Sequence, residues 1–152
     1  MKITSSMEYA TRLMVSLARS RGQAAVPAER LSNAENVPFD YVNQLLLRLK
    51  RAGLVESHRG TAGGYALSRE PALVTLGQVL RAVEGEVFED VCKKYSDQKR
   101  DCHHQGGCGI SPVWQKLGTM IEQYFDSITL AALLAEPEAC CGKVVAMLGS
   151  IK

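Results

Sequence analysis

Three cysteines and two histidines crowd one polar stretch of the chain, CKKYSDQKRDCHHQGGC, from Cys92 to Cys108. The spacing is C-x9-C-x5-C, with His103 and His104 directly after the second cysteine, Cys102. Thiolates are soft ligands that suit iron–sulfur clusters and zinc. Three sulfurs converge on one centre more easily from a loop than from a helix or strand, and Gly106, Gly107 and Gly109 give the backbone freedom to wrap an inorganic core. Three thiols leave one ligand of a four-coordinate site to be found elsewhere. Zinc in a Cys3His site is the sharper competitor, although its usual paired C-x2–4-C knuckle is missing. Cysteines serving only as small hydrophobes are a weaker reading, because charged residues flank two of them.

The surrounding chain has 152 residues, enough for one domain or a small domain with an appended element, and its 46% hydrophobic content can build a real core. No apolar run approaches the roughly eighteen residues needed to span a bilayer. The opening MKITSSMEYATRL lacks the apolar block of a signal peptide, so a cytoplasmic location is expected. In that compartment clustered cysteines more often bind metal or do redox chemistry than form disulfides. The total of five cysteines is odd, which also argues against a disulfide framework, and Cys140 and Cys141 read as incidental. Charge is uneven: residues 1–69 carry ten Lys/Arg against five Asp/Glu, and residues 70–152 carry eight against eleven. A basic N-terminal half suits a polyanion such as DNA. No G-x-S-x-G elbow, Walker loop, paired-carboxylate arrangement or C-x-x-C motif is present, so an enzyme is not expected.

The elements that must position these groups are mainly helical. A first helix is expected from Thr4 or Ser5, with Ser5 and Glu8 fitting a capping box and Met7, Ala10, Met14, Leu17 and Ala18 forming an apolar stripe. A short second helix follows Pro27, with Ala28 and Leu31 inward, and Asn33–Val37 reads as a turn. Pro38 opens a third helix with Val42, Leu45, Leu46 and Leu49 on its core side, ended by Gly53. Leu54-Val55 and Tyr65-Ala66-Leu67 then form a β-hairpin around Gly60, Gly63 and Gly64. A helix pair followed by a basic hairpin is the outline of a winged helix-turn-helix, whose second helix enters the major groove. Thr75 caps a fourth helix carrying Leu76, Val79, Leu80 and Val83 and closed by Gly85. After the cysteines, Ser111 and Pro112 start a long helix as N-cap and first residue. On it Trp114, Leu117, Ile121, Tyr124 and Ile128 have the spacing of a two-helix dimer seam. A short apolar helix from Leu130 to Leu134 follows.

The expected fold class is therefore mainly α with a small β-hairpin: a winged helix-turn-helix plus a long C-terminal dimerisation helix. Residues 1–84 form the DNA-binding domain, 85–111 the cysteine-rich loop, and 112–152 the dimerisation helix and tail. Asn43 and Gln44 carry amides able to read an adenine edge, while Arg48 and Arg59 can reach guanine or phosphate. Lys50 and Arg51 suit phosphates, which position a protein without carrying sequence information. Tyr41 on the third helix and Thr61 in the wing turn complete the expected DNA contact set.

The segments MKITSSMEYATRLMVSLA, VPFDYVNQLLLRLKRAGLV, RGTAGGYALS, the three-cysteine loop and SITLAALL occur in one order along nearly the whole chain. In that order the chain resembles the IscR–NsrR family of winged-helix iron–sulfur transcription regulators. The resemblance implies a homodimer with crossed C-terminal helices, a palindromic promoter operator in double-stranded DNA, and a 2Fe-2S or 4Fe-4S cluster held by Cys92, Cys102 and Cys108. It also implies a regulator, expected to repress, that senses iron, redox or nitric oxide status. In several members a residue near the start of the first helix of the other subunit is the fourth ligand; here that position is Glu8, with His103 and His104 as alternatives. The first cysteine gap is longer than in better-known members, no histidine stands two residues after Cys108, and a ligand-histidine position of one subgroup is Arg12. A zinc-stabilised or cluster-free thiol-sensing regulator of the same fold is the alternative.

Overall fold

The computed structural model describes residues 2–60, 63–86 and 108–135. Helix α1 (Ser5–Arg19) buries Ala10, Leu13, Met14, Leu17 and Ala18 along one face, as period-3.6 spacing requires. Its N-cap is Thr4, whose Oγ1 accepts the Met7 N–H at 3.3 Å. The expected capping box on Ser5 and Glu8 does not form: Glu8 reaches forward instead, and its Oε1 accepts from Nε and Nη2 of Arg12, each at 2.8 Å. Helix α2 (Ala28–Glu35) buries Leu31 and runs through part of the stretch expected to be a turn. It stops one residue later, where Asn36 adopts a left-handed conformation with φ 52°, which asparagine tolerates better than most residues.

Helix α3 (Phe39–Arg51) begins after Pro38, which stands at the N-cap, where its missing N–H costs no hydrogen bond. Val42, Leu45, Leu46 and Leu49 are all buried. The chain leaves α3 through Gly53 (φ 69°), and the Leu54 N–H returns to the Leu49 carbonyl at 3.0 Å. Strands β1 (Val55–His58) and β2 (Gly64–Leu67) then pair antiparallel, Val55 opposite Leu67 and His58 opposite Gly64. The hairpin is fastened to the helix pair by a bridge between Val26 and Tyr65, with N–H···O distances of 2.9 and 2.8 Å.

After a 3₁₀ turn (Pro71–Leu73), helix α4 (Leu76–Glu84) starts with a capping box between Thr75 and Gln78. It ends at Gly85 (φ 82°), whose N–H bonds the Arg81 carbonyl at 2.9 Å. Helix α5 (Ser111–Ser127) has Ile110 as its N-cap, so Ser111 is the first helical residue rather than the cap. Thr129 then bridges antiparallel to Thr75, and helix α6 (Leu130–Leu134) places Leu130 fully buried in the same core as α1 and α3. The segment after the cysteines thus returns to complete the N-terminal core.

Two faces of α5 part company. Ile121 and Phe125 pack on the small cluster of Met7 and Leu80, and buried Gly118 lies on the same side. Asp126 fastens this side to α4 by accepting from Arg81 Nη2 at 2.5 Å and from Thr75 Oγ1 at 3.2 Å, and buried Gly77 leaves room for its carboxylate. On the other side Ile110, Val113, Trp114, Leu117 and Met120 are exposed, at 39–60% of their surface. Of the residues expected on a dimer seam, Ile121 packs on Met7 and Leu80 of the same chain, and the exposed apolar stripe among the described residues runs through Trp114 and Leu117. Among the described residues no helix is long and apolar enough to cross a membrane.

Candidate DNA interface and cysteine loop

The outer side of α3 follows from the residues it buries. With Val42, Leu45, Leu46 and Leu49 in the core, the opposite face carries Asp40, Gln44, Leu47 and Arg51, all exposed. Asn43 flanks this face and is half-buried. Two residues expected among the DNA contacts, half-buried Tyr41 and exposed Arg48, also have partners within the fold. The Tyr41 ring meets Tyr9 of α1 edge-on, with centroids 6.0 Å apart. Arg48 donates from Nη1 to the Val83 carbonyl at 2.7 Å, at the last turn of α4. Lys50 stays exposed but donates to the Ser57 hydroxyl at 2.5 Å, tying α3 to the wing. Arg59 is exposed at the tip of the hairpin, next to Gly60 (φ 112°). Thr61 lies outside the described residues.

The last turn of α4 is braced from two sides. Arg48 holds the Val83 carbonyl, and Glu84 Oε1 accepts from Thr4 Oγ1 at 2.7 Å and from the Ser6 hydroxyl. These bonds place the carboxylate at the N-terminus of α1, where the helix dipole favours negative charge. The Ser6 hydroxyl first, then the Thr4 hydroxyl, hold its pKa below the usual carboxylate value. Cys92 stands eight residues beyond Glu84 along the chain.

At the far end of that segment Cys108 is a free, half-buried thiol three residues before α5. Cys92, Cys102, His103 and His104 lie outside the described residues. Glu8 borders an apolar cleft of about 130 Å³ between α1, α4 and α5, floored by Met7, Leu80 and Phe125. Its carboxylate is exposed and paired with Arg12, which also sits over the Tyr9 ring at 6.0 Å. Among the described residues no group of three or more His, Cys, Asp or Glu converges on a metal position.

A family model described as Rrf2, "Iron-dependent Transcriptional regulator", matches residues 3–136. The chain belongs to the Rrf2 family. Relatives of this Rrf2 chain include the HTH-type transcriptional regulator IscR of Vibrio vulnificus, 32% identical over 138 residues that cover 91% of this chain and 80% of IscR. Among solved structures, T. potens IscR is 32% identical with a TM-score of 0.67, covering 88% of this chain and 86% of that one. CymR, the global cysteine regulator of B. subtilis, is 29% identical with a TM-score of 0.70, covering 89% of this chain and 97% of that one. The mainly helical fold with its antiparallel wing is thus that of winged-helix regulators, and its relatives are transcription regulators rather than enzymes.

For this Rrf2 protein, residue patterns missed two features. Leu47 stands in the middle of the outward face of α3, which a helical projection from the four buried positions would have located. The Glu84 clamp joins residues 78 and 80 positions apart, and no local spacing signals it.

Proposed function

We propose that this chain is a homodimeric DNA-binding transcription regulator whose operator affinity is set by an iron–sulfur cluster on Cys92, Cys102 and Cys108. The observation that carries the reading is the placement of the cysteine segment. Cys92 follows eight residues after the end of α4, which Arg48 ties to α3, and Cys108 closes the segment three residues before α5. Three thiolates, one of them a free half-buried thiol in the described part, make a donor set that fits iron and sulfide. When bound, such a cluster supplies a centre sensitive to oxygen, nitric oxide and iron shortage. The chain's own residues do the rest. Arg48, which we assign to bracing α4 rather than to DNA, and the Glu84 clamp link the start of the segment to the reading helix. A bound group shifts a two-state equilibrium only through its differential affinity for the two states, and thiolate ligation from this segment requires one arrangement of its ends. Asn43, Gln44, Arg51 and Arg59 face a palindromic promoter site, with Lys50 near phosphate. The fourth ligand is Glu8 of the second subunit, or His103 or His104. The Glu8–Arg12 pair does not bar ligation, since exposed pairs of this kind contribute at most about 1 kcal/mol.

Each of Cys92→Ala, Cys102→Ala and Cys108→Ala is expected to lose bound iron and sulfide and the visible absorbance of anaerobically purified protein. All three should change operator affinity in one direction, by about tenfold or more, equivalent to about 1.4 kcal/mol. Glu8→Ala spectra decide the fourth position. Three variants that bind the operator like the parent, with and without iron, would remove the sensing reading. The similarity to CymR, solved also in an oxidized form from Staphylococcus aureus, favours as second reading a thiol-sensing regulator without a cluster. Colourless parent protein whose operator affinity responds to oxidant through the same cysteines would establish it.

The exposed stripe of α5 is the proposed dimer seam. Trp114→Asp with Leu117→Asp is expected to give folded monomers in sedimentation, with native circular dichroism, that bind the operator poorly. A dimeric double variant would move the seam elsewhere.

A further inference from the structure

We infer that Leu47 reads a base, by seating its side chain against the C5 methyl group of a thymine in the major groove. The inference rests on α3 being the recognition helix. Along α3, at 100° per residue, Asp40, Gln44, Leu47 and Arg51 fall within about 60° of one another, opposite the four buried core residues. Leu47 is 47% exposed near the centre of that face, a full helical turn from either end of α3.

Its neighbours say what it meets. Gln44 stands three residues before it and Arg51 four residues after it, so a carboxamide and a guanidinium flank it on the helix surface. Those two groups match base edges and phosphates; a leucine matches neither. The floor of the major groove has one apolar feature, the thymine methyl, and it distinguishes thymine from the other bases. Lys50 and Arg51 follow it by three and four residues on α3, and their stretch of chain is the basic half, which selects a polyanion as the occupant. A protein partner would need a broad apolar patch, whereas the nearby exposed apolar residue of α3, Phe39, sits about 80° away around the helix axis.

The test starts from a duplex selected by the full-length parent protein out of a randomised pool. Affinities are measured for that duplex and for duplexes in which each thymine in turn is replaced by uracil, which deletes only the methyl group. At one thymine per half-site the parent is expected to lose about fourfold in affinity, the loss that one buried methyl contact implies. Leu47→Ala is expected to bind the selected duplex about as weakly as the parent binds a duplex carrying uracil at that position in both half-sites, and to treat both bases alike there. Leu47→Ala with full methyl discrimination, or a parent indifferent to every uracil, overturns the assignment. So does a Leu47→Ala protein that changes its sedimentation behaviour in place of its base preference. Gln44→Ala and Arg51→Ala separate this from the underlying reading: weakened binding in those two with an unchanged Leu47→Ala sinks Leu47 alone, and unchanged binding in all three sinks the recognition helix.

Discussion

Gly64→Ala is expected to detach the wing and lower the melting temperature by about 6–12 °C. A Cβ at Gly64 would lie 2.5 Å from both C and O of Val26 and 2.8 Å from the nitrogen of Pro27. Those are backbone atoms with no rotamer to retreat into. Tyr65, the next residue, makes both hydrogen bonds of the bridge to Val26. The glycine is therefore required for close approach, and its φ is not in the positive range. Overpacking of this kind costs about 3 kcal/mol at the upper end of its usual range, and each kcal/mol moves the midpoint of a chain this size by about 2–4 °C. Operator affinity should fall too, because Arg59 rides on the displaced hairpin. Circular dichroism melting checks the first effect and operator titration below the melting range checks the second. An unchanged midpoint would mean that β2 does not sit against Val26 in solution.

Leu130→Ala should have the largest effect on stability, about 2–5 kcal/mol, the range for truncating a fully buried leucine. Leu130 is 0% exposed and sits in the core shared with α1, while its own N–H bonds the Val74 carbonyl at 2.9 Å. The cavity has little means of collapse, because the Thr75–Thr129 bridge holds the backbone on one side and Thr129 Oγ1 caps α6 through the Ala132 N–H at 3.1 Å. Urea unfolding measures it. Leu134→Ala, at a position 36% exposed, is the control and should change stability far less. Equal, small losses at both positions would show that α6 is not seated in the core.

Where side-chain periodicity decides the structure, the sequence is legible. Val42, Leu45, Leu46 and Leu49 are buried as their spacing requires, and Thr75 caps α4 as its position before an apolar run suggests. The errors have specific causes. Thr4, Ser5 and Ser6 offer three adjacent hydroxyls, and Glu84, far along the chain, engages the two that flank Ser5. Asn33–Val37 is polar enough for a turn, yet a helix continues until a residue departs from αR, which happens only at Asn36. Helix α5 carries apolar residues on two sides, and spacing alone cannot tell which side its own subunit covers; Met7 and Leu80 decide for Ile121. In the candidate DNA interface, the amides and Arg59 are readable as residue types. The commitment of Arg48 to the Val83 carbonyl, 35 residues away, is a tertiary fact.

The bridge between Thr75 and Thr129 has a consequence for how this chain tolerates change. Both ends of the excursion from Gly85 to Ile128 are anchored in one body: one by α4, the other by Leu130 and by Asp126 on Arg81. Residues 108–135 therefore belong to the same folding unit as the helices and wing that precede them. The reading helix and wing are thus not a detachable module: expressed alone as residues 1–85, they would leave the place of Leu130 in their core open to water.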